Sequence, residues 1–419
     1  MHFLHTPGLW LGGVMLSILG SAAQAEPLTL AQTLSAAQRY SAELSASHNE
    51  VQALDAMADS ARQLPDPKLK FGLENLPVQG SNDRRFTREG MTMQRIGVMQ
   101  QYVSAEKRER KAQTLEAEAQ SVSAKADATR AALQRDTAQA WLDLALSTEA
   151  RDAAQKLVAE TAQQQGAQKA SVAAGGAAPE SVLALQMTLS AMRDKLTLAE
   201  RDVTLAQTRL AQLTGQSITA VRGALPRYER LPADEPLLMQ SVQKHPDIVA
   251  ATRDATTAQA RSAQSAIAAI PDVEVELYYG HRSEGNDDLA GVMFTVDLPL
   301  FRGQRQDRDH AADVSRTMQA NDRLAQTERD HMAQLQALLA EYRAAQTLWL
   351  RQRDEILPLV TQRVQLLAAQ YRAGQSELPE VLDARRTLLE TTLGVNQAEK
   401  EMARTWAAIR WLIPQEDQE

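Results

Sequence analysis

The side chains with most capacity for chemistry in this sequence are its histidines, its methionines and a few closely spaced carboxylates. His48, His245, His281, His310 and His331 each offer an imidazole to a metal, yet no two stand at an HExxH spacing or in a compact ligand series. Asp307, Asp309, His310 and Asp313 have ligand-like types but alternate with Arg305 and Arg308, the pattern of a solvated helix face. Met93, Met99 and Met293 carry thioethers suited to soft Cu(I), but their spacing specifies no trigonal site, and packing explains them more simply. Glu380 and Asp383, three residues apart, share one helix face, where carboxylates also favour the positive end of the helix dipole. There is no Gly-rich phosphate loop, serine nucleophile elbow or acid/base pair. The expectation is a protein without catalytic residues, without a metal site and without a cofactor: not an enzyme.

The elements that would position these residues follow one plan, given twice. A helical pattern over 28–64 stops at Pro65-Asp66-Pro67, and Lys68–Glu74 then alternates Leu69, Phe71 and Leu73 with Lys68, Lys70 and Glu74, as a strand with one apolar and one wet face does. Pro77, Gly80, Asn82 and Asp83 make a turn-rich connection to a second strand near 92–102, with Ile96, Val98 and Tyr102 opposite Met93, Arg95, Met99 and Gln101. From Ser104 to Gln168 no proline occurs, enough for a helix approaching about 100 Å. Ala174-Gly175-Gly176 breaks it, and a returning helix from Pro179 ends before Gly215.

After the proline-containing linker 216–236 the plan repeats. A helix from Leu237 stops at Pro271-Asp272, which matches Pro65-Asp66 at an offset of 206 residues. Two strands follow within 272–300, the first setting Val273, Val275, Leu277 and Tyr279 against Glu274, Glu276 and Tyr278, and the second Val292, Phe294 and Val296 against Met293, Thr295 and Asp297. A long helical tract from Gln304 to Tyr371, a break at Ala373-Gly374 and a last helix to Leu412 complete it, with Gly374 lying 199 residues after Gly175. The expected organisation is a signal peptide over 1–25, a first repeat over 26–215 with a helical hairpin at 104–215, a linker over 216–236, a second repeat over 237–413 and a tail over 414–419.

Composition narrows the setting. The sequence holds no cysteine, which excludes disulfides and thiolate sites, and only 4% aromatic residues, too few for a thick globular core. A net charge of -8 without a basic block argues against a nucleic-acid partner. Beyond residues 1–25 no run of about 20 apolar residues offers a spanning helix, but strands with one greasy and one wet face suit a membrane β-barrel. Two strand pairs cannot close a barrel, so closure requires several chains, with Lys68, Lys70, Glu74, Arg95, Glu274, Glu276 and Asp297 facing the aqueous lumen. The same pattern also fits two amphipathic hairpins capping a soluble coiled-coil scaffold or adaptor.

Three stretches give the sequence a family resemblance over essentially all of 26–419: Leu28-Thr29-Leu30 opening a helix that ends in Leu64-Pro65-Asp66-Pro67; Val296-Asp297-Leu298-Pro299-Leu300-Phe301; and Tyr371-Arg372-Ala373-Gly374 followed by Val381-Leu382-Asp383-Ala384-Arg385-Arg386. It resembles the outer-membrane efflux proteins, trimeric trunk-shaped channels. That resemblance implies a mainly α fold with a small β part: helical hairpins forming a periplasmic α-barrel, and a twelve-stranded transmembrane β-barrel to which each subunit of a homotrimer gives four strands. It also implies an adaptor protein and an inner-membrane pump as partners, outer-membrane lipid around the barrel, and a passive duct. The hairpin tips at Gly175, Gly176, Gly374 and Gln375 would face the adaptor. Glu380 and Asp383 would form acidic rings at a periplasmic gate, Glu380 being longer than the aspartate the family carries there, and the Tyr371 hydroxyl would help hold the gate shut. Ser376 stands where relatives place a closing arginine. The Leu64-Pro65-Asp66-Pro67 turn, Asn75-Leu76-Pro77 and the compact length are more like members that export heavy metals than those that export drugs or proteins, with a duct for drugs or organic solutes as the alternative.

Overall fold

The computed structural model describes residues 27–85, 89–176, 178–282 and 286–412; the expected signal peptide and tail lie outside them. In chain order the elements are α1 (Leu30–Tyr40), α2 (Ala42–Ala61), β1 (Lys68–Glu74), β2 (Met93–Tyr102), α3 (Ala105–Ala162), α4 (Gln164–Ala173), α5 (Glu180–Thr214), α6 (Glu235–Ser241), α7 (Pro246–Ala266), β3 (Val273–Arg282), β4 (Leu289–Val296), α8 (Gln306–Arg351), α9 (Leu357–Arg372) and α10 (Leu378–Trp411). The fold is mainly helical, with one small sheet at one end.

Several helices differ from the sequence expectation at identifiable residues. The tract 28–64 is two helices, because Ser41 ends α1 and its hydroxyl accepts the Leu44 amide proton to open α2. Thr29 starts α1 with a capping box completed by Gln32. The helix expected from Leu237 is also two, since Pro246 lacks an N–H and sits at the first position of α7 behind a single 3₁₀ turn. Gln163 divides α3 from α4. A π-helical segment over Gln352–Ile356 joins α8 to α9 just before Pro358, so the ladder slips one residue where the proline removes a donor. At about 1.5 Å per residue, the 58 residues of α3 alone run roughly 87 Å.

The four strands form one antiparallel sheet in the order β1-β2-β3-β4. Its register sets Lys70 against Gly97, Met99 against Glu276 and Glu276 against Met293, so the charged positions of the two strand pairs fall on one face. On the other face Phe71 is 83% exposed and Phe294 67%, with Leu69, Ile96, Val98, Leu277 and Val292 also exposed. Among the described residues, β1 and β4 each keep one unpaired edge. No described helix is long and apolar enough to cross a membrane.

The main apolar core lies where the helices pass the non-helical stretch before α6. Trp141, Leu142, Leu144, Leu210, Leu335, Tyr342, Met402 and Ile409 are buried there. Trp141 Nε1 donates to the Leu28 carbonyl at 3.0 Å, the Tyr342 hydroxyl donates to the Tyr228 carbonyl at 2.7 Å, and Leu28 bridges in parallel to Val221. Two smaller apolar clusters continue toward the α4–α5 and α9–α10 turns, the last formed by Leu185, Leu189, Leu378 and Leu382.

Candidate functional site

Three regions hold the residues that the sequence singles out: the charged sheet face, the turns at the far end of the helical hairpins, and the helices just beyond those turns.

On the sheet, Glu276 centres a ladder of ion pairs. Its two carboxylate oxygens accept from Lys70 Nζ and Arg95 Nη2, each at 2.8 Å, while Arg95 Nη1 reaches Glu74 at 2.6 Å. The Arg95 guanidinium lies 3.7 Å over the Tyr278 ring, a cation–π contact. Glycines make room for these side chains: a Cβ on Gly291 would stand 2.5 Å from the Tyr278 ring, and one on Gly280 2.9 Å from Met93 Sδ. Lys70, Glu74, Arg95 and Glu276 are thus brought together, whereas Lys68 and Glu274 share the face outside the ladder and Asp297 lies one residue past β4. The face carries three cationic against four carboxylate side chains among those seven.

The two hairpin turns are built alike. Gly175 (φ +78°) and Gly374 (φ +72°) occupy the left-handed position after α4 and α9. The next amides, of Gly176 and Gln375, reach back to the Ser171 and Gln370 carbonyls, both at 2.8 Å. This is the Schellman closure, in which a residue without Cβ takes positive φ at no steric cost. Among the described residues nothing lies within 4 Å of a Cβ position at Gly175 or Gly374, so neither glycine is packed against the rest of the chain.

Above these turns, the Tyr371 hydroxyl donates to Gln168 Oε1 at 3.1 Å, and Gln168 Nε2 donates to Ser181 at 2.6 Å. Tyr371 also packs on the Leu185–Leu382 cluster. Glu380 and Asp383 are exposed on the same stretch of α10, opposite the buried Leu378, Val381 and Leu382. Asp383 is not a free charge, because Arg386 one turn on contacts it at 2.6 Å; Glu380 has no ionic partner among the described residues. Arg385 points inward to Thr161 Oγ1 at 3.3 Å, and burial lowers its affinity for its proton. Ser376 donates to the Leu367 carbonyl at 3.3 Å.

A further constellation is formed by residues far apart in the sequence. His245, Asp247 and His331 converge although 86 positions separate the outer two, with imidazole centroids 4.4 Å apart. His331 Nε2 lies 3.1 Å from Asp247 Oδ2, and His245 Nδ1 lies 3.5 Å from the same oxygen. Burial, and then the neighbouring His331, push His245 down to about 4. The hydrogen bond to Asp247 raises His331, and the same bond lowers Asp247. Only the proline after His245 signals that its ring caps a helix; nothing in the sequence points to the partner.

No family profile matches the chain. Among curated proteins it is 26% identical over 386 residues to the cobalt-zinc-cadmium resistance protein CzcC of Cupriavidus metallidurans, covering 88% of this chain and 86% of that one. Its fold matches that of CusC, described in terms of transmembrane channel formation, with a TM-score of 0.74, 15% identity and 92% of each chain covered. The CmeC outer-membrane channel of Campylobacter jejuni matches with a TM-score of 0.74 at 12% identity, over 100% of this chain and 96% of that one. The open state of the MtrE outer-membrane channel of Neisseria gonorrhoeae matches with a TM-score of 0.74 at 14% identity, over 91% and 88%.

Proposed function

This chain belongs to the family of outer-membrane efflux channels, and we propose that three copies of it form a passive exit duct for divalent heavy-metal cations in a tripartite efflux system. The observation that carries the duct is the sheet: an apolar face left exposed, an opposite face laced with ion pairs, and an unpaired edge at each side. Unpaired edges are not tolerated in lipid, and joining β4 of one copy to β1 of the next removes all of them in a ring of twelve strands. A ten-residue strand such as β2 or β3, at about 3.3 Å per residue and tilted about 45°, spans about 23 Å, close to the ~25 Å apolar band of such barrels.

In this reading residues 26–215 and 237–413 are the two repeats, whose helices wall the periplasmic tunnel, and 216–236 lies at its belt. Lys68, Lys70, Glu74, Arg95, Glu274, Glu276 and Asp297 line the barrel lumen. Gly175, Gly176, Gly374 and Gln375 dock an adaptor protein, which joins the duct to an inner-membrane pump. Tyr371, Glu380 and Asp383 form the gate. The duct performs no covalent step; energy enters through the pump, and this chain supplies a path whose tip opens and closes.

The metal cargo rests on the relative whose name carries cobalt, zinc and cadmium resistance. A deletion strain and its complemented counterpart should be compared for retained cobalt, zinc, cadmium, copper, silver and a fluorescent drug. Selective retention of metals, reversed by complementation, supports the reading. Retained drug with unchanged metals rejects the cargo and keeps the duct. A protein that is extracted from cells without detergent, as a monomer, rejects the duct itself.

A further inference from the structure

We propose that His245, Asp247 and His331 form a binding site for one zinc-class divalent cation, which staples α7 to α8. The site does not depend on the cargo: it is a fixed cross-link between two helices of the tunnel wall.

Hydrogen positions follow from the neighbours. His331 Nδ1 lies 3.0 Å from the Thr327 carbonyl oxygen, which only accepts, so this nitrogen carries the hydrogen. In the neutral ring Nε2 then presents a lone pair, and it faces a carboxylate oxygen 3.1 Å away. His245 Nδ1 accepts the Asp247 amide hydrogen at 3.2 Å, so it too is unprotonated, and it stands 3.5 Å from the same oxygen. With His331 neutral, two nitrogen lone pairs and a carboxylate oxygen converge, an arrangement that calls for a positive charge among them, either a proton on His331 or a bound cation. A histidine whose rear nitrogen donates to a backbone carbonyl is the usual disposition of a metal-ligating imidazole.

The dimensions agree with a cation. Ligands about 2.0–2.1 Å from a tetrahedral centre stand roughly 3.3–3.4 Å from one another, and the measured separations of 3.1 and 3.5 Å bracket this edge. The three ligating atoms lie within 4.8 Å of one another. On binding, His245 Nδ1 exchanges its amide partner for the cation. Two imidazoles and a carboxylate, with no thiolate available in the sequence, select Zn²⁺ or Co²⁺ over Cu(I). The fourth position opens into a cavity of about 580 Å³ that Gln139 and Gln334 also line, leaving room for water. The cations bordering that cavity are engaged elsewhere, Arg135 with Asp136 and Lys125 with Asp254, both at 2.7 Å.

The test uses the full-length protein, purified in detergent as its native assembly, stripped with a chelator and dialysed against Zn²⁺ or Co²⁺ alone. The expected result is one zinc retained per chain by elemental analysis, and the intense visible bands of four-coordinate Co²⁺. His331→Ala and Asp247→Asn should each weaken retention by at least about tenfold. His331→Gln, close to histidine in size, serves if His331→Ala fails to assemble, and His48→Ala on exposed α2 should match the parent protein. The proposal is overturned if the parent protein retains no more zinc than the double variant His245→Gln/His331→Gln, or if bound Co²⁺ shows only its weak six-coordinate spectrum. In that case a proton on His331 bridges the two groups instead. Because no transport is measured, a duct carrying only organic solutes leaves the outcome unaffected.

Discussion

The hydroxyl of Tyr371, at the end of α9, donates to the side-chain oxygen of Gln168 in α4 at 3.1 Å, tying the last turn of one hairpin to the last turn of the other. Gln168 passes the connection on to Ser181 at the start of α5. The two hairpins of each chain thus cannot separate at their tips without breaking this relay.

Tyr371→Phe removes the donor and keeps the ring packed on Leu185 and Leu382. One neutral hydrogen bond is worth about 0.5–1.5 kcal/mol net, so the population with parted tips should rise by up to roughly tenfold. Single-channel recordings should show longer open dwell times, and cells should become sensitive to a large antibiotic that otherwise stays outside. Unchanged recordings would show that closure does not pass through this bond.

A second prediction concerns the main apolar core. Trp141 is fully buried and donates to the Leu28 carbonyl, which also accepts from the Arg222 amide at 3.0 Å. Because the carbonyl keeps that second partner, Trp141→Phe should cost only about 1 kcal/mol. Trp141→Ala leaves a cavity and should cost about 3–5 kcal/mol. Chemical denaturation of the helical signal distinguishes the two values.

Much of the fold was legible because local chemistry specifies it. Pro65 and Pro271 end helices by removing donors, charge alternation marks both sheet faces, and Gly175 and Gly374 take the positive φ that a turn after a long helix requires. Apolar spacing alone puts Ser41 in a helix interior, although its side chain competes for the backbone and caps α2 instead. The π segment before Pro358 was equally hidden, since the slip depends on how α8 and α9 accommodate the proline. Partners distant in sequence were the least legible part. Alternation placed Lys70, Arg95 and Glu276 on one face, but only the register of β2 against β3 makes Glu276 the shared acceptor. His245 and His331 meet only because α7 packs on α8.

The sheet supplies a steric prediction. At Gly291 a side chain would enter the space of the Tyr278 ring, which in turn lies beneath the Arg95 guanidinium. Gly291→Val should therefore displace Tyr278 and loosen the ion-pair ladder, an overpacking penalty of about 1–3 kcal/mol per chain. The temperature at which the assembly dissociates on a detergent gel should fall. Gly303→Val, where a Cβ meets nothing within 4 Å among the described residues, provides the control.

The last prediction separates two carboxylates that the sequence alone makes equivalent. Glu380 has no ionic partner among the described residues, whereas Arg386 largely balances Asp383 at 2.6 Å. In a three-fold assembly Glu380→Gln removes three uncompensated charges around the aperture, and the preference for cations over anions should drop by several-fold to about tenfold at low salt, less at high salt. Asp383→Asn frees Arg386 and should also lower it, while the double variant Asp383→Asn/Arg386→Gln removes a balanced pair and should stay near the parent value. Reversal potentials across a potassium chloride gradient measure all three. If the double variant falls as far as Glu380→Gln, the pair seen on α10 does not persist at the open tip, and Asp383 faces the passing ion as a full charge.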